Sequence, residues 1–262
     1  MYFTKNEKAL VMGILNITPD SFYDGNPNID SNYIKEKFLS YKNSDIIDIG
    51  AESSRPFSKP ITVDEEISRL SLFTELNLKT KKLLSIDSYK PEVIKFALNN
   101  GFDIINDISG GGHNNSNFEI ASIYNVPIIV MHMQGTPQTM QIEPKYVNII
   151  DDIKYFFEKK IDIMKNEFNL DDKNIILDPG IGFGKSIDDN FTIIDNIQKF
   201  KFFGYPILIG LSRKSFLQKG SDGPRDVKQA SLEAQLLSIR NGANIIRTHD
   251  VEETYNSLNN IS

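Results

Sequence analysis

The 262-residue chain has no cysteine and only three histidines. The absence of cysteine excludes disulfide bonds, thiolate metal sites and a cysteine nucleophile. The histidines, His113, His132 and His249, are far apart in the sequence and lack the spacing of a zinc site. We therefore expect His113 and His132 to have structural or hydrogen-bonding roles rather than to bind a metal.

Long apolar runs and excess positive charge are also missing. No stretch approaches the ~20 apolar residues of a membrane-spanning helix, and the apolar run at 9–15 is too short and weakly flanked for a signal peptide. The formal net charge of −6 argues against nucleic acid or an anionic membrane as partner. We expect a soluble, cytoplasmic protein that acts on small molecules and concentrates Lys and Arg locally around any anionic ligand.

The chain does contain short apolar segments that alternate with helical patterns. Each segment is rich in Ile, Leu or Val and bounded by Gly, Pro, Asn or Asp, which predicts strands at 9–16, 46–50, 83–87, 104–107, 127–131, 175–178, 206–210 and 245–249. Helices are predicted at 32–43, 63–78, 91–99, 118–124, 147–168, 188–200, 226–241 and 252–260. This alternation predicts an α/β fold, a single (β/α)₈ TIM barrel, in one domain over 1–262.

At least six of these strands end in a polar residue. A parallel barrel strand is buried along its length, so a polar side chain at its carboxyl end marks the face where barrel active sites lie. An open doubly wound sheet is the alternative, but it would gather the polar ends near one switch point instead of spreading them along the chain. Three long loops, at 17–31, 51–62 and 132–145, are expected on the same face as lids or substrate contacts, or else as plain surface insertions.

The glycine-rich run at 179–186 resembles a phosphate-binding loop without being one. A Walker A loop requires glycine where this chain has Pro179, and the spacing of a dinucleotide fingerprint is absent. We interpret the run as a turn that lets a flat ligand approach the backbone.

Eight short motifs carry a resemblance to a known family. They are MGILNITPDSF at 12–22, DIGAESSRP at 48–56, SID at 85–87, IND at 105–107, MHMQG at 131–135, LDPGIGFGK at 177–185, SRK at 212–214 and RTHD at 247–250. In this order, at predicted strand ends, the chain resembles the dihydropteroate synthases, a pterin-binding family, from about residue 10 to 254. That family is a (β/α)₈ barrel of folate biosynthesis, which joins 6-hydroxymethyl-7,8-dihydropterin diphosphate to 4-aminobenzoate and releases diphosphate.

The resemblance implies a pocket that reads the guanine-like edge of a pterin. Such an edge needs a carboxylate for its N–H groups and amide or ammonium donors for its ring nitrogens and carbonyl. The matching positions are Asp87, Asn106, Asp178 and Lys214, together with Met131, Phe183 and Gly210. Any one of these carboxylates alone would more readily be explained as a helix N-cap or a salt bridge, so the prediction depends on their convergence.

The resemblance also implies a site for the leaving diphosphate. Arg247 and His249 alternate on the predicted eighth strand and match the family's diphosphate-binding pair, with Arg55 as a further candidate. Asn16 matches the position that contacts Mg²⁺, the expected cofactor. One oxygen ligand suits Mg²⁺, which takes its remaining ligands from phosphates and waters.

The 4-aminobenzoate site is expected to use the residues Ser54, Arg55, Pro56, Phe22, Phe183 and Ser212. Lys214, Arg247 and His249 are the expected catalytic residues, with Asp20 or Asp24 accepting a proton or ordering the site. We expect a dissociative reaction, in which diphosphate leaves before the arylamine attacks. The chain departs from the family's usual Thr, Gly and Gly at Ser54, Ala51 and Asn26, so sulfonamides, which mimic 4-aminobenzoate, are expected to bind somewhat differently.

Two other functions remain open at this stage. A methyltetrahydrofolate-dependent methyltransferase shares the barrel and the pterin-binding carboxylates but has no need of Arg247 and His249. A non-catalytic pterin-binding paralogue should have lost leaving-group or loop residues that this chain retains. The resemblance further implies a homodimer, formed by the helices at 188–200, 226–241 and 252–260.

Overall fold

A computed structural model describes residues 3, 8–18, 30–54, 58–220 and 223–259. In this part of the chain, eight parallel strands form one sheet. They are Leu10–Asn16, Ile46–Gly50, Leu83–Asp87, Ile104–Asp107, Ile128–Met131, Ile175–Asp178, Leu208–Gly210 and Ile245–Thr248, called the first to eighth barrel strands below.

The sheet closes on itself into a barrel. The first strand pairs with both the second and the eighth, and the ladder continues to the sixth strand on one side and the seventh on the other. The sixth and seventh strands meet through a parallel bridge between Leu177 and Ile207, where Leu177 N donates to Pro206 O at 2.9 Å. The predicted barrel is confirmed, and the open doubly wound sheet is excluded. The single domain predicted over 1–262 stays a prediction.

Helices cover the outside of the barrel, and most begin at a side chain that caps the first turn. Thr62 accepts from Glu65 N, Asp226 accepts from Gln229 N, and Ser186 forms a capping box with Asp189. The helices of the described residues are Ser31–Ser40, Val63–Thr74, Pro91–Asn99, Ser116–Tyr124, Ile149–Asn166, Ile187–Asp195, Val227–Arg240 and Val251–Asn259.

Several predicted boundaries were wrong, and three of them have local explanations. The helix predicted at 188–200 ends at Asp195, because Asn196 leaves the helical conformation (φ −121°, ψ 19°), and a 3₁₀ helix, Ile197–Phe203, follows. The seventh strand begins at Leu208 rather than at Pro206, which has no N–H for the ladder. The eighth strand ends at Thr248, so His249 lies just beyond it.

Two apolar clusters stabilise the barrel. The smaller fills the barrel interior, and the larger joins the outer faces of the strands to the helices. Strand residues alternate between them: Ile46 belongs to the interior cluster, whereas Ile47 and Ile49 belong to the outer one. Among the described residues, no helix combines the length and the apolar character that crossing a membrane would require.

Candidate active site

A polar layer lies directly above the interior apolar cluster. Because strand residues two apart point to the same side, the residue two positions after each interior aliphatic residue also faces into the barrel. Above Ile46, Ile104, Ile129, Ile176, Leu208 and Ile245 lie, in that order, Asp48, Asn106, Met131, Asp178, Gly210 and Arg247. The carboxyl face of the barrel is therefore lined mainly by polar groups over an apolar base.

Arg247 connects strands across this layer. Its Nε donates to Asp48 Oδ2 at 2.6 Å, and its Nη2 donates to Asp87 Oδ2 at 2.6 Å. Asn106 Nδ2 donates to the same Asp48 Oδ2 at 2.8 Å. We call these four residues the arginine network. It brings Asp87, Asn106 and Arg247, all predicted site residues, into one cluster with Asp48 at its centre.

Asp48 and Asn106 are buried, Asp87 and Arg247 are partly exposed, and desolvation affects the pKa values of Asp87 and Arg247. Burial raises the pKa of Asp87 to about 7, with Arg247 opposing the shift and Asp48 adding to it. Burial alone would lower the pKa of Arg247, but the carboxylates of Asp48 and Asp87 raise it above its ordinary value. Arg247 therefore stays charged, whereas Asp87 exchanges a proton near neutral pH.

Asp178 lies beside a second buried charge, Lys185. Asp178 Oδ1 accepts from Gly180 N at 2.7 Å, and burial raises the pKa of Asp178 to about 6 against the effects of Gly180 and the nearby lysines. Lys185 Nζ donates to His132 O at 3.1 Å and to Phe183 O at 2.9 Å. Burial lowers the pKa of Lys185 to about 7, with Asp178 opposing the shift.

Lys214 enters the site next to Phe183. Its Nζ lies 4.3 Å from the centre of the Phe183 ring, a cation–π distance. Burial lowers the pKa of Lys214 to about 8, and Arg247 lowers it further, while Asp178 and Asp87 oppose the shift. Arg247, Asp178 and Asp87 each influence the pKa of Lys214, so Lys214 lies near their charges at the carboxyl end of the barrel, the region called the hollow below.

The glycine-rich turn at 179–186 lies close to other parts of the protein. Gly182 has a φ of +82°, and a Cβ there would lie 3.0 Å from Lys214 Nζ. A Cβ on Gly180 would lie 1.9 Å from His132 O. The close approaches at these two glycines are therefore to Lys214 and to the loop after the fifth strand, and the approach of a flat ligand to this turn stays a prediction.

Ser212 and His249 join the ends of the seventh and eighth strands. Ser212 Oγ accepts from His249 N at 3.0 Å and lies 3.0 Å from His249 Nδ1. Between Ser212 and Lys214, Arg213 has a φ of +57° and forms a two-nitrogen ion pair with Asp250, at 3.2 and 2.8 Å. Arg247 contacts the buried carboxylates while His249 contacts Ser212, so the two predicted diphosphate ligands make separate contacts.

Lys90 holds the two ends of the second loop together. Its Nζ lies 3.0 Å from Glu52 Oε2, 2.7 Å from Glu66 Oε2 and 2.7 Å from Ile61 O. Ser54, two residues after Glu52, lines a depression that Asp87 also lines. Glu66 is fully buried, and burial raises its pKa against the influence of Lys90.

The remaining predicted residues have distinct positions. Asn16 lies half-buried at the end of the first strand, and Met131 is buried beside Asp178 in the sheet register. A Cβ on Gly210 would contact nothing within 4 Å, so this glycine leaves open space next to Arg247. Five predicted residues lie outside the described part of the chain: Asp20, Phe22, Asp24, Arg55 and Pro56.

Three charged residues that the structure brings to the site, Asp48, Lys185 and Lys90, had no role predicted from the sequence. Asp48 is the only charged residue in its strand and follows Ile46 at a spacing of two, which would have identified it as inward-facing. Lys185 lay in the run that resembled a phosphate loop. Lys90 carried no sequence signal, because its partners come from a different loop and helix.

His132 has the predicted structural role, since its ring packs edge-on against Phe156 with ring centres 5.0 Å apart. Burial lowers its pKa to about 3, with Lys185 adding to the shift, so the imidazole is neutral. His113 is exposed.

A closed barrel with carboxylates, an amide and lysines around one hollow defines a class of small-molecule enzyme with its site on the carboxyl face. The sequence of residues 12–249 matches the family described as pterin binding enzyme. The chain belongs to this family of pterin-binding enzymes.

Relatives within the family carry a more specific name. The chain is 37% identical over 254 residues to the dihydropteroate synthase of Escherichia coli strain K12, covering 95% of this chain and 89% of the relative. The crystal structure of the Yersinia pestis dihydropteroate synthase with a sulfonamide drug has a TM-score of 0.89 and 32% identity, covering 97% of this chain and 93% of that one. The Xanthomonas albilineans dihydropteroate synthase with 4-aminobenzoic acid has a TM-score of 0.87 and 31% identity, covering 97% and 92%.

Proposed function

We propose that this chain is a dihydropteroate synthase, a transferase that condenses 6-hydroxymethyl-7,8-dihydropterin diphosphate with 4-aminobenzoate to give 7,8-dihydropteroate and diphosphate. The observation that carries this proposal is the hydrogen-bonded arginine network at the carboxyl end of the barrel, with Asp178 facing the same interior and Lys214 near their charges. Relatives named dihydropteroate synthase, matched over nearly their whole length, support it.

The pterin would bind in the hollow through its polar edge. Asp87 and Asp178 offer carboxylate oxygens for the ring N–H and amino groups, and Asn106 and Lys214 offer donors to the ring nitrogens and carbonyl. Gly210 leaves the space that a flat ring needs, and Met131 and Phe183 supply apolar surface. Desolvation strengthens each of these hydrogen bonds, which favours a ligand with a matching pattern.

The diphosphate would leave toward Arg247 and His249. Negative charge develops on the departing oxygen as the C–O bond breaks, and fixed positive charge lowers the barrier to that step. Arg247 is charged at all working pH values, and His249 is held by Ser212. Arg55, outside the described residues, is a further proposed ligand of the diphosphate.

The donor set fits Mg²⁺ only together with the diphosphate. In the described residues, no group of three or more His, Cys, Asp or Glu side chains could hold a metal ion. Asn16 offers one neutral amide oxygen at the end of the first strand, which suits an ion that keeps waters and binds phosphate oxygens. When bound, Mg²⁺ would neutralise charge on the diphosphate. Asn16 is the proposed protein ligand.

The 4-aminobenzoate would bind between the second loop and the end of the seventh strand. Ser54 and Ser212 are the described residues proposed there, with Phe183 beside Lys214 supplying an aromatic face. Phe22, Arg55 and Pro56 complete the proposed set outside the described residues, and Asp20 or Asp24 is the proposed acceptor of the amine proton.

The reaction order is proposed to be dissociative. The electron-rich dihydropterin can delocalise a cation at its methylene carbon once diphosphate leaves, and the neutral arylamine then attacks without a strong base. Secondary kinetic isotope effects with deuterium at the methylene should be clearly above unity. Values near unity would favour concerted displacement.

We also propose that the enzyme is a cytoplasmic homodimer. Exposed apolar side chains support a dimer. Phe191 and Leu237, each 40% exposed, lie on two of the helices predicted for it, and Phe202, 81% exposed, lies on the 3₁₀ helix that follows the first of them. Sedimentation velocity should show twice the chain mass, and Phe202→Ser should shift it toward the monomer.

One assay tests the activity. Purified protein is mixed with the pterin diphosphate, 4-aminobenzoate and Mg²⁺, and diphosphate release is measured with each substrate omitted in turn. Release that depends on both substrates supports a dihydropteroate synthase. Pterin binding without such release would instead support the non-catalytic paralogue, and methyl transfer from methyltetrahydrofolate would support the methyltransferase.

A further inference from the structure

Asp48 is the least accessible member of the arginine network. It lies between Ile47 and Ile49, which pack outward, so its side chain faces into the barrel above Ile46. Its side chain is fully buried, whereas that of Asp87 at the strand end is 12% exposed. A ligand entering from the carboxyl face therefore reaches Asp87 before Asp48.

One oxygen of Asp48 accepts both of its hydrogen bonds. Oδ2 accepts from Arg247 Nε and Asn106 Nδ2, while Oδ1 has no hydrogen-bond partner among the described residues. A buried carboxylate oxygen without a donor costs free energy, so stability alone does not explain the charge at this position. Arg247 Nε is the nitrogen closest to the side-chain stem, so Asp48 fixes the base of the guanidinium and Asp87 fixes its outer end.

Because Asp48 and Asp87 bind different nitrogens of Arg247, a ligand that binds Asp87 affects only one of the two contacts. Arg247 Nη2 already lies 2.6 Å from Asp87 Oδ2, so a pterin whose N–H groups bind that carboxylate competes with the arginine. If Asp48 were absent, a pterin bound to Asp87 would leave Arg247, a largely buried cation, without a hydrogen-bonded counter-charge, at high cost. With Asp48 present, Arg247 retains an ion pair when the pterin binds Asp87.

Asp48 also fixes the side-chain amide of Asn106. Because one N–H of Asn106 Nδ2 donates to Asp48, the amide is held in one orientation, in which its second N–H remains a donor. The same carboxylate thus determines which polar atom of Asn106 is offered to a ligand.

We infer that Asp48 is a positioning residue, which keeps Arg247 and Asn106 in place while a pterin binds Asp87. This role rests on the proposed function, because it requires a ligand with N–H donors in the hollow. Asp48 acts through its two neighbours and makes no contact with the reacting atoms.

A double-mutant cycle between Asp48 and Arg247 tests the inference. The variants Asp48→Asn, Arg247→Gln and their combination are titrated with 6-hydroxymethylpterin by calorimetry. Asp48→Asn should raise the Kd at least tenfold when Arg247 is present, because the released arginine then competes for Asp87. In the Arg247→Gln background no arginine competes for Asp87. Asp48→Asn should then raise the Kd less than threefold, through its effect on Asn106 alone.

Asp107→Asn is the matched control. Asp107 is equally buried at the end of the fourth strand, but its carboxylate accepts from Ser109, Gly111 and Asn117 and has no hydrogen bond to the side chains of the arginine network. Its effect on the Kd should be the same with Arg or Gln at position 247. An equal effect of Asp48→Asn in the two backgrounds would overturn the positioning role.

Failure of this role can be distinguished from failure of the proposed function. Wild-type protein that binds the pterin but releases no diphosphate removes the proposed activity, and the cycle still decides the role of Asp48. Wild-type protein that does not bind the pterin removes both. If Asp48→Asn does not fold, as judged by circular dichroism, Asp48→Ser enters the same cycle, since a water can replace the missing carboxylate.

Discussion

Gly210 and Gly182 lack a side chain for different physical reasons. Gly210 has an ordinary strand conformation, and the space where its Cβ would lie is open. Gly182 has a φ of +82°, and Lys214 occupies the space beside it. Gly210 therefore leaves volume for a ligand. At position 182 a glycine is needed because the backbone has a positive φ and Lys214 lies where a side chain would begin.

We therefore expect Gly210→Ala and Gly182→Ala to have opposite effects. Gly210→Ala should leave the free energy of unfolding within about 1 kcal/mol of wild type, or raise it, because alanine limits the unfolded chain. It should weaken pterin binding about tenfold or more by filling the pocket. Gly182→Ala should lower the free energy of unfolding by about 1–3 kcal/mol through backbone strain. Urea unfolding and calorimetric titration measure both, and normal pterin affinity in Gly210→Ala would contradict the assigned space.

His132 should make the fold sensitive to acid. Burial lowers its pKa to about 3 in the folded protein, against an ordinary value of about 6.5 in the unfolded chain. Above pH 6.5 the neutral ring costs nothing, but as the pH falls toward 3 the unfolded chain takes up a proton that the folded protein does not. The stability contributed by His132 is therefore present above about pH 6.5 and is lost progressively toward pH 3.

His132→Phe tests this dependence while keeping an aromatic ring against Phe156. The free energy of unfolding of the variant, relative to wild type, should rise as the pH is lowered from 7 to 4. His113→Phe replaces an exposed histidine and serves as the control, with the pH dependence of wild type. Parallel curves for wild type and His132→Phe would show that residue 132 does not titrate in this way.

At the scale of elements, Lys90 connects the second loop to two helices. It precedes the helix Pro91–Asn99, and its Nζ contacts Glu66 on the helix Val63–Thr74 and both ends of the loop. Lys90→Met should lower the free energy of unfolding by about 3–5 kcal/mol, because Glu66 is left buried and unpaired. It should also raise the KM for 4-aminobenzoate, since the loop carrying Ser54 loses its connection.

Two further variants separate charge burial from loop position. Adding Glu66→Gln to Lys90→Met should recover much of the lost stability without restoring the KM. Lys95→Met, on the exposed side of the same helix, should change neither quantity. A Lys90→Met protein with wild-type stability in urea would mean that Glu66 is neutralised without the lysine.

The strands were more predictable than the helix ends. The second, third, fourth and sixth strands have the predicted bounds, because runs of buried aliphatic residues ending in a polar residue are specific to parallel strands. Helix ends depend on single hydrogen bonds that a pattern does not register. Asn196 Nδ2, for example, donates to Thr192 O at 2.8 Å where the sequence still reads as helical.

At the scale of the whole molecule, the barrel has one weak seam. The first and second strands pair over five residues, whereas the sixth and seventh meet in a single bridge. Local opening requires breaking the fewest hydrogen bonds at this seam. We expect the Leu177 amide to exchange hydrogen faster than the amides of the second strand under native conditions.

Native-state hydrogen exchange followed by NMR measures this difference directly. Adding the pterin should slow exchange at the seam, because the proposed ligand contacts Asp178 on the sixth strand and Gly210 on the seventh. Equal protection around the barrel, with or without ligand, would contradict a weak seam.

The sequence by itself determined the barrel and the identity of most polar strand ends, because alternation and strand boundaries are local properties of the chain. It also indicated which side chains face inward, since a spacing of two places Arg247 above Ile245 and Asp48 above Ile46. Only the tertiary structure decided which charges pair. Arg247 binds Asp48 and Asp87, which lie 199 and 160 residues away. Closure of the sheet brings these residues together, and burial then raises the pKa of Asp87.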